Sequence, residues 1–215
     1  MMATPTAGVL NVGGASASDT DLTRPVDPAD MTGRYYEEFT VGETIEHATR
    51  RTVSEGDNQR FCDMTMNQQP LHLDAEFAAE TQFGERLVNG LYTMSLAVGV
   101  SIPETTDGTI VANLSYDDVQ HPNPVFHGDT IRAQSTVTDK RETSDGERGV
   151  VTMHVQAFKV VDEGVEDAED AENAENAEDT EDAEDIENTE NDDGDILVCE
   201  FDRTVLSEKR PGGDE

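Results

Sequence analysis

Tryptophan is absent, aromatic residues make up only 5% of the chain, and cysteine occurs twice. Cys62 and Cys199 both have apolar neighbours and no metal-type spacing, so they read as buried thiols rather than as a disulfide or metal ligands. Basic residues are scarce: 14 Lys and Arg stand against 48 Asp and Glu, a net charge of −34. A surface with so little positive charge cannot neutralise phosphate, which argues against nucleic acid and anionic membranes as partners. No uncharged apolar stretch reaches about 18 residues, so no membrane span is expected. The N-terminus lacks the basic start and apolar run of a signal peptide. A cytoplasmic location is the resulting expectation.

The charge is unevenly spread. Residues 162–195 hold 19 acids and no Lys or Arg, leaving 29 acids against 14 bases elsewhere. The remainder is still strongly acidic with few lysines, as in a protein from a salt-loaded cytoplasm where screening relieves self-repulsion. Within the tract, residues 168–191 are eight triplets of a small or apolar residue, Glu, and Asp or Asn. A period of three fits neither helix nor strand, so the tract is expected to be a disordered loop. Residues 1–30 are expected to be a disordered lead-in and 211–215 a tail. That leaves one domain over 31–210, interrupted by 162–195.

Along the chain, Thr44–Val53 reads as a strand and Ser54 as the N-cap of a helix from Glu55 to Thr65. A loop over Asn67–Asp74 and a short helix over Ala75–Thr81 follow. Arg86–Ile102 is a long helix, apolar nearly all round and therefore expected to be buried under a sheet; its 17 residues would span about 25 Å, with Pro103 ending it. The period then changes to two, giving strands over Thr109–Val119, Thr130–Lys140, Val150–Val161 and Ile196–Leu206. The fold class is α+β.

The most informative stretch runs from Asn67 to Gly90. Pro70 fixes the backbone ahead of Leu71 and His72, and Gly90 lets a ligand approach a backbone N–H. A histidine beside such a donor at a helix start suits acid–base work on a carbonyl compound. His121, His127 and His154 lie on or near strands without ligand spacing, and no metal site or cofactor is expected.

The run Val53–Gly90, together with GRYYEEFTVGE and PVFHGDTIRAQSTV, resembles the MaoC-like (R)-specific enoyl-CoA hydratase family. The strings MTMNQQPLHLD and FGERLVNGLYTMSLAVG look closest to members acting on mesaconyl-CoA and itaconyl-CoA. The resemblance implies a hotdog fold, an antiparallel sheet wrapped around a long central helix. It also implies an acyl-CoA thioester substrate and a homodimer or higher homo-oligomer. The family site uses an Asp, a His five residues later, and the N–H of a Gly at the start of the long helix. These carry over as His72 and Gly90, with Asn67 at the Asp position, and Pro70, Leu71 and Asp74 match. Asn89 stands where the family often has His.

Adding water to an α,β-unsaturated thioester builds negative charge on the thioester oxygen, which a helix-terminal N–H stabilises. His72 is expected to carry the proton. Asn67 can only hydrogen-bond the water. A substrate with its own carboxylate would repel an Asp there, so Asn67 points to a dicarboxylic acyl-CoA. Arg86 is the expected contact for that carboxylate, and Arg50, Arg51 or Arg60 for it or for coenzyme A phosphates. The alternatives are a non-catalytic acyl-thioester-binding module, or a thioesterase using Glu85 to activate water.

Overall fold

Strands with period-two apolar patterning can bury one face only, and in the computed structural model they do so as a single antiparallel sheet. The structure describes residues 33–161 and 194–212. The lead-in 1–30, the acidic tract apart from its last two residues, and most of the 211–215 tail lie outside these.

The strands are β1 (Thr44–Glu46), β2 (Arg51–Thr52), β3 (Ile110–Gln120), β4 (Thr130–Glu142), β5 (Arg148–Lys159) and β6 (Ile196–Glu208), in the order β1-β4-β5-β6-β3, with β2 also on β4. Alternate residues of β4, β5 and β6, among them Ile131, Val137, Val151, Met153, Phe201 and Val205, form the core face. The long helix α4 (Gly90–Thr105) lies against that face, and its Ala97 and Val100 are buried. Shorter helices α1 (Glu55–Thr65), α2 (Pro70–Leu73) and α3 (Ala75–Ala79) lead into it. Cys62 and Cys199 are free and buried, and burial pushes the Cys199 thiol up to about 12.

Four expectations need correction. The strand over Thr44–Val53 is broken: Glu46 pairs with Gln134 and Arg51 with Ile131, so the first strand takes five steps against three on β4. The extra residues bulge out, and His47 is buried there between Ser135 and Glu104. The long helix begins at Gly90, not Arg86, because Val88 N–H bonds the Val125 carbonyl (2.9 Å) and Asn89 caps the helix through Leu91 N–H (3.0 Å). It also runs past Pro103 to Thr105, since a proline near a helix C-terminus removes one backbone bond without forbidding the next turn. The helix is not buried all round. Leu91 is 60% exposed, and Tyr92, Met94, Leu96 and Val98 are only partly covered. Strand β3, at the sheet edge, likewise exposes Val111, Leu114, Tyr116 and Val119.

One residue of the acidic tract is structural. Asp195 is buried, pairs with Arg132 and accepts the Val161 N–H (3.1 Å), so it joins the two ends of the insertion.

Candidate active site

His72 sits on the one-turn helix α2 rather than in the loop expected for Asn67–Asp74. Pro70 opens that turn at its first position, where a missing N–H is harmless. Asn67 prepares the turn: its Oδ1 accepts the Gln69 N–H (3.1 Å). Leu71 holds it from the other side, its carbonyl accepting the Leu87 N–H (3.2 Å). The Leu87 carbonyl in turn accepts a hydrogen bond from His72 Nδ1 (3.0 Å). A carbonyl cannot donate, so Nδ1 carries the hydrogen and Nε2 of the neutral ring has a free lone pair.

Gly90 is the first residue of α4, so its N–H has no carbonyl four residues back within the helix. Space at this glycine is tight: a Cβ there would stand 3.2 Å from Nε2 and Cε1 of His121. His72 and Gly90 line one cavity of about 430 Å³ with Phe83, Thr93, His121 and Asn123. Among the described residues, no Asp, Glu, Lys or Arg lines it.

The other expected site residues do not line this cavity. Asn67, Pro70 and Leu71 shape the α2 turn. Asn89 is buried as the N-cap of α4. Arg86 forms an ion pair with Glu55 (2.9 Å), which engages the guanidinium expected for a substrate carboxylate. Glu85 is exposed on the loop before α4. Arg51 pairs with Asp57 (3.1 Å), and Arg50 lines a separate polar cavity with His47, Arg132 and Asp195.

Two residues of the site escaped the sequence reading. Asn58, on α1 and 1% exposed, accepts the Asn89 N–H (3.0 Å). Its Nδ2 faces the His72 carbonyl (3.3 Å) and donates to His127 Nε2 (3.2 Å). One carboxamide thus ties the His72 turn to the start of α4. Burial lowers the His127 pKa first, and the Arg86 charge adds to it, in keeping with a neutral ring that accepts this bond. The second is His121, just past the end of β3. Desolvation lowers its pKa, while a hydrogen bond to the Val198 backbone acts the other way. The only trace of it in the sequence is the rigid HPNP run over 121–124, whose Asn123 bonds the Leu197 carbonyl (2.7 Å).

A family model described as a MaoC-like domain matches residues 37–158, more than half of the chain. The chain belongs to the MaoC-like domain family. Among its relatives, a mesaconyl-CoA hydratase from Cereibacter sphaeroides is 35% identical over 133 residues, which are 62% of this chain and 38% of that protein. An (R)-specific enoyl-CoA hydratase from Rhodospirillum rubrum is 30% identical over 112 residues, 51% of this chain and 73% of that one. The fold of this MaoC-like chain matches a Mycobacterium tuberculosis protein described as a double hotdog fold, with a TM-score of 0.63 at 18% identity, covering 86% of this chain and 47% of that one. The sheet and helix are accordingly a hotdog fold of the α+β class. The chain thus spans well under half the length of its Cereibacter relative.

Proposed function

We propose that this protein adds water reversibly to the double bond of an enoyl-CoA, with a branched dicarboxylic acyl group of the mesaconyl-CoA or itaconyl-CoA type as the substrate. The observation that carries the reading is the shared cavity: the His72 ring, its Nδ1 committed to the Leu87 carbonyl, stands in one chamber with the first residue of α4. The thioester oxygen docks on the Gly90 N–H. Water loses a proton to His72 Nε2 as its oxygen bonds the β-carbon, and the enolate charge collects at the helix end. One such donor is worth about 3–4 kcal/mol to the transition state. Asn67 acts from outside the cavity, holding the α2 turn that carries His72.

Two proteins named for hydration at 30–35% identity support the reaction class, and the first is named for mesaconyl-CoA. A thioesterase would need a water-activating carboxylate, and among the described residues none lines the cavity. The exposed apolar residues of α4 and of the edge strand β3 support a homodimer.

The test is the loss of enoyl-thioester absorbance with mesaconyl-CoA, itaconyl-CoA and crotonyl-CoA at high salt. Wild-type protein should hydrate the dicarboxylic substrates fastest, and His72→Ala should lower kcat by roughly 10²- to 10⁴-fold. Release of free thiol in place of hydration would make the chain a thioesterase. Thioester binding without turnover would make it a binding module.

A further inference from the structure

Hydration of a conjugated thioester moves two protons: one leaves the water and one arrives at the α-carbon. His72 accounts for the first. The family carboxylate that would share this work is replaced by Asn67, whose amide does not titrate and does not line the cavity. Among the described residues that line the cavity, the other ordinary proton carrier is His121.

The placement of His121 is specific. The Nε2 end of its ring packs against Gly90, at 3.2 Å from where a Cβ would stand. A thioester whose oxygen docks on the Gly90 N–H shares the cavity with this ring, and its α-carbon is one bond from the carbonyl carbon. The ring is held from behind by the Val198 backbone, and its loop by Pro122, Pro124 and the Asn123 bond to Leu197. A histidine braced this way keeps its orientation while a proton comes and goes.

The geometry points to His121 as the second proton-transfer group of this site, the one that serves the α-carbon; this rests on the hydration reading above. In the forward step a water O–H bond breaks and its proton goes to His72 Nε2 while the oxygen bonds the β-carbon. The π pair moves toward the carbonyl, and the enolate oxygen is held at Gly90. The enolate then takes a proton from protonated His121, forming the α-C–H bond. His72 ends protonated and His121 neutral, and exchange with solvent restores both. The reverse reaction uses His121 as the base that removes the α-proton. Desolvation lowers the His121 pKa and so favours the neutral ring, the base form that the reverse reaction needs, while the Val198 backbone hydrogen bond acts the other way.

The test uses the full chain with His121→Gln, His121→Asn and His72→Gln variants. Hydration is read by absorbance, and α-proton exchange of a saturated acyl-CoA is read by NMR in deuterated water. Both His121 variants should lose roughly 10²-fold in kcat with KM little changed. They should also stop α-exchange, whereas His72→Gln stops hydration and keeps exchange. Thermal melts identify any variant that fails to fold, and the other His121 variant then decides. If a folded His121 variant hydrates and exchanges at the wild-type rate, His121 is only a wall of the cavity and the assignment falls alone. Wild-type protein that neither hydrates nor exchanges would overturn the hydration reading and this assignment together.

Discussion

Asn58 has two amide hydrogens facing the His72 and Leu87 carbonyls and His127 Nε2, while its oxygen takes the Asn89 N–H. Truncation to alanine leaves a buried N–H without an acceptor, which costs about 1–3 kcal/mol. It also releases the link between α1, the His72 turn and the cap of α4. Asn58→Ala should therefore lower the melting temperature and reduce kcat, although Asn58 does not line the cavity. A variant with wild-type kcat would show that α2 and α4 hold their registry without it. Nothing in the string EGDNQRF marks this residue, because the site groups it ties together lie 14 to 69 positions away. Arg86 is the converse case. Its position beside the His–Gly stretch suggests a substrate contact, and in the structure it pairs with a glutamate 31 residues earlier.

Helix α1 was legible because its signals are local. Ser54 Oγ accepts the Asp57 N–H (3.2 Å), and the Asp57 carboxylate accepts the Ser54 N–H in return (3.1 Å). The Ser54 hydrogen bonds, more than the Arg51 charge, hold the Asp57 carboxyl below its ordinary pKa. A depressed folded pKa means stability that is fully present above the unfolded carboxylate pKa of about 3.9 and is lost as pH falls through the folded value. Asp57→Asn should therefore destabilise the protein by about 1 kcal/mol at neutral pH, and the difference should shrink below about pH 4. Urea midpoints from pH 7 to pH 3 check this; a pH-independent difference would mean that the carboxylate charge plays no part. Helix α4 was legible in type but not in start, since the apolar run continues through Leu87 and Val88. Those two residues pair with Phe126 and Val125 across the chain instead of entering the helix.

For the whole molecule the net charge of −34 dominates. Described pairs such as Arg34–Glu43 and Arg132–Asp195 neutralise few of the 48 acids. Raising the salt from 0.05 M toward 2 M shortens the screening length to about 3 Å or less and relieves this repulsion. The melting temperature should rise across that range in KCl. A flat or falling midpoint would show that self-repulsion does not limit stability. At the same scale, the exposed apolar residues of α4 and β3 corrected the view of a helix enclosed by its own sheet. Periodicity records that a face is apolar, not what covers it.

The sequence by itself determined the types of the longer elements, the Ser54 cap, the buried thiols, and the His72-to-Gly90 spacing that carries the family resemblance. Each of these is encoded within one element or one short motif. Only the tertiary structure decided that β3 and its HPNP loop bring His121 onto Gly90, that Asn58 couples two helices, and that Arg86 is held by Glu55. These contacts join residues far apart in the chain. Their geometry depends on how the elements pack and on the bulge between β1 and β2, which no local pattern specifies.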